Sequence, residues 1–86
     1  MPRLSEFFGI SIYMYWADHG PAHFHAIRGD DEVLIAIADG TVIAGRLAPA
    51  SLQLVRRWWA AHRAELEANW ERATLLEPMS PIDPLR

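Results

Sequence analysis

The apolar residues of this 86-residue chain change their repeat at one place, the "RLAP" of residues 46–49. Before it they recur every second position, and after it every three or four. A period of two places side chains on alternate faces of a strand, and a period near 3.6 lays them along one side of a helix. The first half is therefore expected to form a sheet and the second half a helix.

"GISIYMYW" (9–16) sets Ile10, Ile12, Met14 and Trp16 on one face, and Ser11, Tyr13 and Tyr15 on the other. "AHFHAI" (22–27) alternates in the same way, with Ala22, Phe24 and Ala26 opposed to His23, His25 and Ile27. "EVLIAIA" (32–38) and "TVIAGRL" (41–47) are two further strand-forming runs. "ADHGP" and "RGDD" supply turns, and Asp39-Gly40 reads as a two-residue type I′ hairpin. Gly45 inside the last run marks a bulge or a close backbone approach.

Pro49 suits a first helical turn, Ser51 is a candidate cap, and no Gly or Pro follows until after Leu76. Leu52, Val55, Trp59, His62, Leu66, Asn69 and Ala73 form one stripe at spacings of three and four. A single helix over about 50–75 would be about 37 Å long, so a bend near His62 is expected. The tail "EPMSPIDPLR" (77–86) carries three prolines and either packs as extended chain or hangs free. The expected architecture is α+β: one domain over 1–86, a four-stranded antiparallel β-meander over about 9–47, then one long C-terminal helix, ββββα.

Composition narrows the function classes. There is no cysteine, which excludes disulfides and thiolate zinc sites. No apolar run approaches a membrane span, and Glu6 interrupts the segment where a signal peptide would be apolar, so a cytoplasmic protein is expected. The net charge is −3 and every fixed cation is arginine. Bulk charge therefore gives no support for non-specific nucleic-acid binding, although arginine suits bidentate contacts to phosphate or carboxylate.

Three of the four histidines fall in "DHGPAHFHA" (18–26). With "ADHGP" as the loop, Trp16 faces Ala22, Met14 faces Phe24 and Ile12 faces Ala26. On the opposite face Tyr15 meets His23 and Tyr13 meets His25, with His19 and Asp18 at the end. Three readings compete for this patch. It can be a half-exposed sheet face held by Tyr–His pairs. It can perform acid–base chemistry, such as metal-independent cleavage of an RNA phosphodiester, with His23, His25, Tyr13, Tyr15 and His19 as the candidate groups. It can be a metal site, because His-x-His on a strand presents both imidazoles together and His19 or Asp18 could add a donor to His23 and His25.

The helix offers weaker candidates. Trp58, Trp59 and Trp70 read as core or interface, with Trp59 and Trp70 expected to be largely buried. Arg56, Arg57, Arg63 and Arg72 read as solvated charges partly paired with Glu65, Glu67 and Glu71. The alternative is that Arg56, Arg57, Trp58 and Arg63 contact a partner.

"FFGISIYMYWADHGPAHFHA", "IAIADG", "GRLAP", "WWAAHRAELEANWERA" and "PIDPL" resemble, in this order, the bacterial family catalogued as domain of unknown function 4160. One departure is Ala22, where that family usually has a second proline. The hallmark falls here on Asp18, His19, Pro21, His23, Phe24 and His25, and the helix element on Trp59, His62, Arg63, Leu66, Asn69 and Trp70. Members are often encoded beside a small partner that frequently carries a DNA-binding segment. The resemblance thus implies the toxin side of a toxin–antitoxin pair and no particular mechanism. The expectation is a toxin-like component with a cognate antitoxin-like partner, a ribonuclease needing no cofactor, with RNA as substrate. The alternatives are a non-catalytic interaction module, favoured by the acidic balance, and a small His-rich metal-binding protein. A homodimer fits any of these.

Overall fold

The computed structural model describes residues 2–86. Five strands precede one helix: β1 (Arg3–Phe7), β2 (Ile10–Tyr13), β3 (His23–Arg28), β4 (Asp31–Ala36), β5 (Val42–Gly45) and α1 (Pro49–Thr74). The strands form one antiparallel sheet in sequential order. The sheet thus has five strands, one more than the sequence pattern indicates. The added strand is β1, where the pairing shifts between Arg3 and Ser5. That bulge buries Leu4 and Ser5 side by side and erases the period of two.

The turns also redistribute. The two-residue hairpin with positive φ at both positions lies at Phe8 (φ 50°) and Gly9 (φ 78°), between the paired Phe7 and Ile10. Asp39-Gly40 instead lies in a wider connection, in which the Ala36 amide donates to the Thr41 carbonyl at 2.9 Å. Asp39 spends its carboxylate there on the Thr41 amide and hydroxyl. β5 carries a bulge at Ile43, between the paired Val42 and Ala44, while Gly45, with a φ of 76°, is a close backbone approach to the Glu32 carbonyl.

α1 covers one face of the sheet and bends at His62 (φ −124°, ψ 22°). Its buried side is Ser51, Val55, Trp58, Leu66, Asn69 and Ala73. Beyond the bend this is the expected stripe. Before it, Trp58 replaces Trp59 and Ser51 replaces Leu52. Trp58 packs against Phe7 and Phe24 of the sheet. Trp59 and Trp70 are only half-buried. Trp59 lies over the β4–β5 connection, donating from Nε1 to the Ile37 carbonyl at 2.8 Å. Ser51 is not the cap. The N-cap is Ala48, without a side-chain bond, and the buried Ser51 hydroxyl accepts from Arg28 at 2.9 Å.

The proline-rich tail packs as extended chain. Ile82 is buried and its amide donates to the Leu4 carbonyl at 2.8 Å. Asn69 pins the tail through two 2.8 Å bonds with Ser80. The core so enclosed includes Ile10, Ile12, Met14, Phe24, Val33, Ile35, Val55, Trp58 and Leu66. The Ser5 hydroxyl is buried without a hydrogen-bond partner among the described residues. Ser5→Ala is therefore expected to be neutral or to stabilise by up to about 1 kcal/mol, because an unsatisfied hydroxyl is removed. A thermal melt of the variant measures this, and a clear loss of stability would mean that the hydroxyl is bonded after all.

Candidate functional site

The histidine-bearing strand pairs as the apolar pattern requires, with Ile12 opposite Ala26 and Tyr13 opposite His25. His23 and His25 leave β3 on the face away from Phe24 and Ala26. Beyond Tyr13 the register is lost, because β2 ends there. Trp16 does not join the apolar face. It is 44% exposed, and its Nε1 donates to the Glu77 carbonyl at 2.8 Å. Tyr15 accordingly meets His25 rather than His23, edge to face at 4.7 Å between centroids. Tyr13 stacks on Tyr15 at 6.3 Å.

The loop 14–22 folds back over the end of the sheet. Ala17 holds a left-handed φ of 55°, and its amide donates to the Ala73 carbonyl at 3.3 Å. A non-glycine residue in this region is strained, and such strain persists where surrounding contacts enforce it. The turn places Asp18 over the two histidines. Its Oδ2 is 3.0 Å from His23 Nε2 and 3.5 Å from His25 Nε2, and its Oδ1 accepts from the His19 amide at 2.9 Å.

The other ring nitrogens are also engaged. His23 Nδ1 donates to the Pro21 carbonyl, and His25 Nδ1 donates to Glu32 Oε2, both at 2.8 Å. The His23 ring is buried beside Trp70, with centroids 5.2 Å apart. Asp18, His23 and His25 each offer one donor atom, and these atoms lie within 4.8 Å of one another.

The electrostatics divide the roles. Burial raises the carboxyl pKa of Asp18, but the His19 amide, the bond with His25 and the neighbouring His23 outweigh it, and the net shift is downward. Asp18 is therefore an anion. Burial and then the charges of Glu32, Tyr13 and Asp18 push the Tyr15 phenol upward. Tyr15 therefore stays protonated near neutrality and is a weaker acid than a free phenol.

The site thus joins His23, His25 and Tyr15, with Tyr13 behind. His19 stands apart: its side chain is exposed and only its amide takes part. Asp18 fills the position that His19 was expected to share. Glu32 and Trp70 belong to the site without having been expected there. Glu32 had a signal, because it lies diagonal to His25 across β3–β4, one alternation from the paired Leu34. Trp70 had none, since its approach to His23 depends on how the helix crosses the sheet.

The helix candidates separate as well. Trp58 is fully buried, so it cannot serve a partner surface. Arg56 Nε donates to the Gly40 carbonyl at 3.1 Å. Arg63 lies over the Trp59 ring at 5.7 Å and 3.7 Å from Glu67. Arg57 is exposed.

Fold and site together define a small α+β domain, one helix on one antiparallel sheet, with a histidine–carboxylate centre at the end of that sheet. The chain belongs to the family described as Domain of unknown function (DUF4160), whose profile matches residues 9–71. That span takes in β2 to β5, the loop bearing Asp18 and most of the helix. No curated protein and no solved structure matches the chain. No helix among the described residues is long and apolar enough to cross a membrane.

Proposed function

We propose that the chain is the toxin-like member of a two-component pair, and that it acts by cleaving phosphodiester bonds in RNA at the Asp18–His23–His25 centre. The observation that carries this reading is the convergence of a carboxylate and two imidazoles beside the Tyr15 phenol. Imidazole exchanges protons near neutrality, and Tyr15 can supply one to a leaving oxygen. The two-component setting rests on the resemblance of the chain to its family.

The test is growth arrest on induced expression in bacteria, paired with RNA cleavage by purified protein. His25→Ala, at the more open imidazole, is expected to reduce cleavage by roughly a hundredfold or more, with a melting temperature within a few degrees of wild type. Wild-type protein that leaves RNA intact would sink the reading, as would His25→Ala that arrests growth fully.

A second reading is favoured by one observation. Residues 40–64 hold Arg46, Arg56, Arg57 and Arg63 and no acid, in a chain of net charge −3. Beside them the outer strand β5 exposes Val42 and Ile43. Charge and apolar surface there suit an acidic partner protein. On this reading the chain is an interaction module, and histidine variants keep their cellular effect while Arg57→Glu abolishes it.

A further inference from the structure

We infer that Asp18, His23 and His25 form a mononuclear site for a divalent first-row cation of the zinc class, supported from behind by the Pro21 carbonyl and Glu32. This builds on the reading of these side chains as the working centre, but it does not require RNA to be the substrate.

The argument begins with tautomers. The Pro21 carbonyl can only accept, so His23 Nδ1 carries a hydrogen. His25 Nδ1 faces the Glu32 carboxylate at 2.8 Å and carries one for the same reason. In neutral imidazoles both Nε2 atoms are then lone-pair donors. Both point at Oδ2 of Asp18, from 3.0 and 3.5 Å. Two imidazole lone pairs and a carboxylate directed into one volume repel each other unless positive charge lies between them.

A proton is the simplest such charge. On His23 Nε2 it satisfies the 3.0 Å contact with Asp18. It leaves His25 Nε2 at 3.5 Å, the outer limit of a hydrogen bond. A cation satisfies all three donors together. Donors about 2.0–2.2 Å from a tetrahedral zinc lie roughly 3.3–3.6 Å apart, close to the two distances to Asp18. The widest separation is at most 4.8 Å, so bringing all three donors onto one ion takes a movement of about 1 Å.

The surroundings are those of a ligating histidine pair. Such histidines almost always donate their second ring hydrogen to a carbonyl or carboxylate, which fixes the ring and raises its basicity. Here one has a carbonyl and the other a carboxylate. Trp70 and Tyr15 wall the two rings, and the partly exposed Asp18 leaves an approach from solvent. Two imidazoles and one carboxylate suit late first-row divalent ions and leave a coordination position free. A cation held there would supply a Lewis acid and lower the pKa of a bound water, and that water would then take over the proton transfers assigned above to the imidazoles, which serve as ligands.

The test uses tag-free protein stripped with a chelator and dialysed. Zn²⁺ is titrated by calorimetry, and Co²⁺ is followed by its visible absorption. Wild type should bind about one equivalent. Asp18→Asn and His25→Ala should abolish binding while circular dichroism shows them folded. Glu32→Ala, which removes only the support behind His25, should weaken binding by roughly 10–100-fold. His19→Ala and His62→Ala should leave it unchanged. Folded wild type that takes up neither ion overturns the inference, and so does His25→Ala that binds as wild type does. A cation bound by protein that does not cleave RNA upholds the site and removes the proposed activity. RNA cleavage by protein that binds no cation does the reverse.

Discussion

Trp58→Ala is expected to lose about 3–5 kcal/mol of stability, the usual range for emptying a buried aromatic position. The indole is the largest fully buried side chain. It meets Phe7 at 5.5 Å and Phe24 at 5.8 Å between centroids, and it abuts His62 at the helix bend at 5.5 Å. Its Nε1 also donates to the Asp83 carbonyl at 2.8 Å, so the variant loses a tether for the tail as well as packing. Folded domains are stable by only about 5–15 kcal/mol, and small ones lie low in that range. A substantial unfolded fraction at 37 °C should follow, read as a lowered urea midpoint. Trp59→Ala is the control. Its ring is half-buried, so roughly half the loss is expected from the area returned to water. A Trp59 variant that collapses while the Trp58 variant melts like wild type would show that the helix presents its other tryptophan to the sheet.

Gly45→Ala is the second large effect, for a different reason. A Cβ at this position would clash with the Glu32 carbonyl oxygen, which is backbone and cannot swing aside. The residue also sits at a φ of 76°. The left-handed conformation alone costs an L-residue about 1–2 kcal/mol, and overpacking adds about 1–3 kcal/mol. The end of β5 would have to move away from β4, breaking the 2.9 Å bond from the Arg46 amide to that carbonyl. Because Glu32 also receives His25 Nδ1, the change should reach the site. The expected result is a loss of about 3 kcal/mol or more, with faster hydrogen exchange at the Arg46 amide and a shifted His25 ring resonance. A melt within a degree of wild type would contradict the close approach of these two backbones.

The parts of this fold that were legible in the sequence are those that repeat. Ile10, Ile12 and Met14 against Ser11 and Tyr13, and Phe24 and Ala26 against His23 and His25, fix both face and register, because a slip of one residue would turn every apolar side chain to water. The same logic places Leu66, Asn69 and Ala73 on the helix. β1 escaped because its bulge puts two neighbours, Leu4 and Ser5, on the buried side. The tight hairpin at Phe8-Gly9 escaped because phenylalanine rarely holds a positive φ. Trp16 was misplaced because the alternation continues in the letters after the strand has ended in space.

What the sequence determined by itself is the order of sheet then helix, the apolar face of each, and the position of His23 and His25 together on the opposite side of β3. Local periodicity suffices for these, since each is set by neighbours in the chain. The tertiary structure decided which tryptophan enters the core, for Trp58 and Trp59 differ by about 100° of helix rotation, and only the fit against Phe7 and Phe24 chooses between them. It decided, too, what surrounds the histidines. Asp18 arrives through a strained turn at Ala17, Glu32 across a strand, and Trp70 from the far half of the helix. Each of these contacts joins segments that no short-range pattern relates, so only the packing of helix, loop and sheet against one another brings them to one point.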